Sequence, residues 1–413
     1  EVGLFAGDSD YYIAEDKNKY RAIFHKDNPY EPISKWWSDI ASYGLIEEKS
    51  DYYIVMNQDE KWAIFHKDNP NEPISQWWDD IEATGLVSDQ SKYYLAKKQH
   101  KWAIYHMSNP NQPISGWWDK IHPYGFIECK SDYYLVKHQD GKEAILHNKN
   151  THEPISNWWK YIYVDGLLQG ESEYYIAQNG DNKQAIFHKN NPNKPISLWW
   201  EQTYSHGLVE GTSSYYIVKN DDEQKAIFHI DNANEPVSQW HYYVYPIGLL
   251  NNTSHCYAVT TNNNSTIQVY HPIDIWQPIY ELSIQYKELL LYFDDEIAIY
   301  IEDGSLILYD AVTGKRNIIS QLSQKINYVI TEMYENHSSL NLHTVTTNEL
   351  IYKYINDDFI PVVFQINKRY YCYLYTLDGK FINEFNTIEH MIQYMQTVVA
   401  KNNKHKCEVI RLY

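Results

Sequence analysis

One histidine per interval is the first pattern in this chain that could do chemistry. It falls at 25, 66, 106, 147, 188, 229 and 271, each closing a run such as Ala63-Ile64-Phe65-His66. Imidazoles on a regular lattice suggest a metal column or a pH sensor. Distance argues against a shared metal, because units that each carry a strand pair set successive rings roughly 10 Å apart. The simpler expectation is that each ring hydrogen-bonds the Asp-Asn-Pro loop after it. A tryptophan pair also recurs, at 36–37, 77–78, 117–118, 158–159 and 199–200. Exposed indoles stack on sugars, whereas an indole on one face of a packed element is core, and core is the expectation for the first Trp of each pair. Acidic residues after the pair vary, Asp79-Asp80 in one copy against Lys160-Tyr161 in another, as on a solvated face and unlike paired catalytic carboxylates. Cys129, Cys256, Cys372 and Cys407 show no C-x-x-C spacing and read as free thiols of a reducing compartment. With no nucleophile elbow, phosphate loop or metal spacing, neither an enzyme nor a cofactor is expected.

These residues are positioned by a repeat. The phrase Pro73-Ile74-Ser75-Gln76-Trp77-Trp78-Asp79-Asp80-Ile81 recurs with its first Trp at 36, 77, 117, 158, 199 and 240, steps of 41 with a single 40. Ser75 suits a helix N-cap, and Trp77, Trp78 and Ile81 share a face at helical spacing, which predicts a short helix. Gly85 followed by Leu86 fits a Schellman end against Ile81, and the same chemistry recurs around Gly44, Gly125 and Gly166. Upstream, Tyr52-Tyr53-Ile54-Val55 and Lys61 to His66 read as a β-hairpin that Asp68-Asn69-Pro70 terminates. One such unit cannot bury its aromatic face alone, so units must stack.

The fold class expected is α+β: a β-rich repeat protein with about seven 41-residue units, each a β-hairpin plus a short helix, then a β-rich C-terminal domain. The array spans 1–280, with units starting near 3, 44, 85, 125, 166, 207 and 248, and the C-terminal domain spans 281–413. The seventh unit keeps the order but lacks the Trp pair, as a capping repeat does. Beyond it, hairpins are predicted around Asp303-Gly304 and Leu377-Asp378-Gly379, and amphipathic helices over 320–336 and 388–400.

Lys61-Trp62-Ala63-Ile64, a turn, a Pro-Ile pair, Trp78-Asp79 and a downstream Gly-Leu together resemble the WG-type β-repeat of many bacterial proteins, over roughly residues 3–280. Where that family has Trp-Gly, this chain has Trp62-Ala63 and Trp102-Ala103, and its period is longer. The resemblance implies a binding or interaction module, not an enzyme.

A formal charge of -19 excludes a surface built for nucleic-acid phosphates. No apolar run reaches the length of about 18 residues that a membrane span requires. Free thiols and the lack of a leader-like start favour a cytoplasmic setting. The expected function is a non-catalytic scaffold or regulatory protein that binds another protein through its repeat surface; the alternative is a surface or secreted glycan binder using the Trp and Tyr rows. Because the copies differ most after the Trp pair and in the hairpin turns, those variable loops are expected to carry specificity, and the candidate partner-binding residues are Asp59, Glu60, Asp140 and Lys142 at the turns, with Trp78, Trp118 and Trp159 as anchors.

Overall fold

A computed structural model describes residues 9–41, 43–87, 90–260, 266–283, 289–302, 305–321, 359–366, 369–376 and 380–398. The chain divides into two compact units, Glu1–Trp199 with Val209–Gly211 and Trp200–Leu208 with Thr212–Tyr413. Both are β-rich arrays of small antiparallel sheets with few helices.

In the first unit every Tyr-Tyr run pairs with the following Ala-Ile run in one register. Tyr52–Met56 against Trp62–His66 sets Tyr52 opposite His66 and Ile54 opposite Ile64, and Tyr133 and Tyr174 meet His147 and His188 in the same way. These runs do not alternate apolar with polar because both faces of the sheet are covered: Tyr53, Ile54, Val55, Ala63, Ile64 and Phe65 are all buried. Period two divides them between neighbours. Tyr53, Val55, Ala63 and Phe65 pack against Ile23 of the preceding hairpin, while Ile54 and Ile64 pack against Tyr94, Ala96, Ala103 and Tyr105 of the next. Each sheet therefore fills the space between two others, which is why a single unit has no core of its own.

The Pro-Ile-Ser-x-Trp-Trp phrase is not a helix, contrary to the expectation from its caps. It bends at Ile74-Ser75, runs on without helical turns and contributes a short strand, such as Asp80–Glu82, which pairs with the next hairpin at Tyr93–Lys98. Just before that strand Trp78 exchanges both backbone hydrogen bonds with Trp62 of the preceding hairpin, each 2.8 Å. One segment thus closes the edge of one sheet and opens the next. Aromatic and β-branched residues suit that pleated, half-buried path, and backbone partners on two hairpins outweigh the i+3 and i+4 spacing. The serine does not cap a helix either. Ser75 Oγ accepts the Ile64 N–H at 3.0 Å and donates to the Gln76 carbonyl at 2.9 Å. Ser34, Ser115, Ser156, Ser197 and Ser238 hold Ile23, Ile104, Ile145, Ile186 and Ile227 in the same manner.

The Schellman reading falls with the helix. Gly125 does take the left-handed conformation, at φ 73°, but it opens a turn whose Phe126 N–H bonds the Tyr133 carbonyl. Gly85 has no positive φ and sits inside the single helical turn Thr84–Val87. Another short helical piece among the described residues of this unit is the 3-10 turn Gly44–Glu47.

In the second unit, Gln202–Gly207, Tyr215–Lys219 and Lys225–His229 form a sheet of the same kind. The seventh repeat is a four-stranded sheet of Tyr243–Val244, Tyr257–Thr260, Ile267–Tyr270 and Tyr280–Leu282. Its Ala258 and Val269 share a core with Leu290, Ala298 and Ile307 of a further four-stranded sheet, Leu289–Phe293 to Lys315–Gln321. A last sheet, Phe359–Ile366, Arg369–Thr376 and Phe381–Phe385, is covered by a helix over 388–398 through Met391 and Met395. Both C-terminal hairpins and that helix match the sequence; the two turns, at 303–304 and 377–379, lie outside the described residues. Of the helix expected over 320–336, residues 320–321 end a strand and the remainder lies outside the described residues.

Candidate binding surface

A repeat of stacked sheets offers a partner either its strand edges or its side chains. The edges of the second hairpin strands are already occupied by the chain itself. Arg21 with Trp37, Trp62 with Trp78, Trp102 with Trp118, Glu143 with Trp159 and Lys225 with His241 exchange backbone hydrogen bonds of 2.6–2.9 Å. Between those pairs and the histidine, the Ile64 carbonyl accepts from Ile74 N–H and its N–H is held by Ser75, a pattern repeated in every unit from Ile23 to Ile227. Such covering removes the unpaired donors and acceptors through which edge strands recruit other chains. Along these strands only side chains are left to meet a partner.

The hairpin turns display them on a fixed base. Asn57 Oδ1 accepts from the N–H groups of Asp59 and Lys61 at 2.9 and 3.0 Å, and Asp16, Asn179 and Asn220 brace their turns in the same way. This Asx bracing leaves Asp59 and Glu60 exposed at the tip, with Glu60 at φ 58°. Asp140 and Lys142 are exposed at the equivalent tip, but they pair with each other at 3.5 Å, and Asp140 Oδ1 also stands 3.2 Å from His138 Nδ1. The Lys142 N–H and then His138 hold the Asp140 carboxyl below its usual range.

The proposed anchors stand differently. Trp78 is 3% exposed and packs on Tyr105 at 4.9 Å, so it offers a partner no surface; Trp118 and Trp159 are half-buried, and Trp159 tilts against Phe187 at 5.0 Å. In the first three pairs the more open member is the first, at 43% for Trp36 and 36% for Trp117, with Trp77 half-buried beside the buried Trp78. This inverts the expected order. The extended path explains it: the second Trp is bonded into the sheet by its backbone, whereas the first lies on the outer side of Phe65, Phe187 or their equivalents at about 6 Å.

The histidines sit where the sequence placed them. His66 Nδ1 accepts the Asp68 N–H at 3.2 Å, and His25, His106, His147, His188, His229 and His271 each accept from the residue two further on. Each ring from His25 to His229 also meets the edge or face of the first Tyr of its hairpin, as Tyr52 meets His66 at 5.2 Å. Two of these pairs, Tyr11 with His25 and Tyr52 with His66, line a cleft of about 630 Å³ together with Glu48 and Asp51. Its charges are spent internally. Lys67 hydrogen-bonds Asp51 and lowers that carboxyl, and Lys26 binds Asp10. No group of three metal-ligating side chains occurs among the described residues. Burial pushes the thiols of Cys256 and Cys372 up to about 12, which leaves them unreactive.

One charged residue was not singled out from the sequence. Glu143 is 1% exposed, with His122 Nε2 at 3.5 Å, Lys137 Nζ at 3.6 Å and the Ile162 N–H donating to its Oε2 at 2.9 Å. Burial would raise its carboxyl, but the His122 contact, the Ile162 N–H and Lys137 outweigh that and lower it. Its role is legible by comparing copies. In two earlier sheets the equivalent N–H groups, of Ile40 and Ile81, are held by the carboxylates of Asp39 and Asp80. Tyr161 replaces that Asp, and Glu143 reaches across to supply the acceptor. The signal was present at the position before each Ala-Ile pair, which reads Arg21, Trp62, Trp102, Glu143, Gln184 and Lys225.

No family model matches the chain, and no curated protein matches it. Among solved structures it is similar to Hsv2 of Kluyveromyces lactis, at 10% identity and TM-score 0.27, over 77% of this chain and 97% of that one. It is similar to apo AztD of Citrobacter koseri at 10% and 0.26, over 74% and 93%, and to BamB of Moraxella catarrhalis at 9% and 0.26, over 72% and 88%. At these scores the likeness carries no argument about architecture or function, and both rest on the chain itself.

Proposed function

We propose that this protein is a non-catalytic repeat scaffold that binds another protein through its hairpin turns. The observation that supports this reading is the contrast between frame and tips. The frame repeats the same register, the same buried serine and the same closed edge, while the exposed turn residues change from Lys17-Asn18-Lys19 to Gln58-Asp59-Glu60 to Asp221-Asp222-Glu223. Variation on an invariant support is how a scaffold acquires specificity. The net charge of -19 favours a basic partner, steered electrostatically and weakened by salt within a Debye length of about 10 Å at 0.1 M. Replacing residues 58–60 and 139–141 with Gly-Ser in the full chain should abolish capture of a specific partner from the native source and leave the melting curve unchanged. Retained capture refutes the reading. Tight binding of a glycan by the half-exposed Trp36 and Trp117, with no protein captured, would replace it with the carbohydrate alternative.

A further inference from the structure

We propose that the loop 271–279 of the seventh repeat is a separate docking surface for a cationic, apolar-faced peptide segment. From the second to the sixth repeat the positions of Ile273 and Trp276 are polar, as in His66-Lys67-Asp68-Asn69-Pro70-Asn71-Glu72-Pro73, and the first repeat has Asp27 and Tyr30 there. Here it reads His271-Pro272-Ile273-Asp274-Ile275-Trp276-Gln277-Pro278-Ile279, so that Ile273 replaces Asp68 and Trp276 replaces Asn71. Ile273 is 89% exposed, Trp276 77% and Ile279 40%.

These side chains are held outward by a braced backbone. His271 Nδ1 accepts the Ile273 N–H at 3.1 Å, and Asp274 Oδ1 accepts from Trp276 and Gln277 at 3.1 and 3.3 Å. Gln239 Nε2 donates to the Ile275 carbonyl at 2.8 Å, and the Ile279 N–H bonds Val269 at 2.7 Å. An aromatic and two isoleucines fixed in water lose little further freedom on binding, which is the property of an interface anchor. Isolated exposed apolar residues need no explanation, but Ile273 and Trp276, at positions that are polar from the second to the sixth repeat, stand on one short loop with Ile279, the isoleucine of the recurring Pro-Ile pair, and together mark an interaction site.

Charge selects the partner. From Ala226 to Tyr286 the chain has no Lys or Arg, while it carries Asp231, Glu235, Asp274 and Glu281. An apolar anchor in a cation-free, acidic stretch is complementary to a segment that alternates apolar side chains with Lys or Arg. An anionic membrane or a second copy of this acidic chain meets like charge there.

The test is fluorescence anisotropy of a labelled, short alternating Lys-Leu peptide against the full chain, with the Glu-Leu peptide as control. The wild-type chain should bind the first and not the second. Trp276→Ser and Ile273→Asp should each weaken binding roughly ten-fold or more, the loss expected of a hot-spot anchor. Both sites are exposed, and unchanged circular dichroism confirms that the variants fold. The Gly-Ser turn variants described above should bind this peptide as the wild type does, which separates this site from the turns. Equal binding by Trp276→Ser, equal binding of the Glu-Leu peptide, concentration-dependent self-association that Trp276→Ser abolishes, or tighter binding to phosphatidylcholine vesicles than to the Lys-Leu peptide would each overturn the proposal.

Discussion

Replacing Ser75 with alanine tests the feature on which the whole array depends. The hydroxyl lies 3.0 Å from the Ile64 nitrogen and 2.9 Å from the Gln76 carbonyl, and the residue is 3% exposed. Alanine keeps almost all of the packing and deletes only the oxygen. The Ile64 N–H points away from its hairpin partner, so it is left buried with no acceptor, a loss of about 1–3 kcal/mol. Loss of the donor to the Gln76 carbonyl costs less, because that segment borders solvent. A global melting temperature is a blunt measure here, since stacked repeats do not unfold as one two-state body. Native-state hydrogen exchange is the appropriate assay. Protection of the Ile64 amide should fall roughly ten- to hundred-fold, with a smaller change at Trp62 and none at Ile145, which Ser156 holds. Unchanged protection at Ile64 would refute the claim that the serine closes the strand edge.

Three further outcomes follow from the packing and the charges. Trp78→Ala, removing a buried indole, should cost about 3–5 kcal/mol, whereas Trp77→Ala, on the more open side of Phe65, should cost distinctly less; denaturant midpoints of the two variants decide this. Gly125→Ala should be more damaging than Gly85→Ala in the same measurement. A Cβ on Gly125 is strained at φ 73° and collides with the Tyr133 carbonyl, while one on Gly85 meets the movable Ser91 hydroxyl at 2.8 Å. His241 takes the place of the second Trp in its repeat, and burial pushes its imidazole down to about 4. The unfolded chain titrates near 6.5, so it binds more protons between pH 6.5 and 4. The His241 contribution is therefore complete above pH 6.5 and lost on acidification toward 4, by about 2–3 kcal/mol. Unfolding midpoints of His241→Trp and wild type should diverge as pH falls through that window; parallel curves would exclude His241 as the source.

How much of this was legible follows from which interactions are local. The hairpins were readable because a Tyr-Tyr-Ile-Val run, a polar turn and an Ala-Ile-Phe-His run carry their own pairing, and the histidine role was readable because its loop lies two residues away. The Trp-Trp segment was not. Its helical spacing is real, but its backbone partners are Trp62, some sixteen residues earlier, and Lys97, some eighteen later, and no local pattern records them. The same non-local origin hid Glu143, whose meaning appears only when Tyr161 is compared with Asp39 and Asp80 in other sheets.

Misplacing that one segment also misplaces the candidate anchors, and the correction narrows the function. Were the phrase a helix, the second strand of each hairpin would present an open edge, and a partner could add a strand there by main-chain bonding. Because the phrase is extended, its own backbone fills that position at Trp62 and Ile64 in the same way that a bound peptide would. At the Trp62–Ile64 edge a partner must displace three backbone hydrogen bonds and the one from Ile64 N–H to the buried serine, each worth roughly 1 kcal/mol net. Side-chain recognition at the turns meets no such cost. The closed edge also takes the second strand of each hairpin out of edge-to-edge pairing, so the serine that was read as a helix cap is a structural tie on that edge.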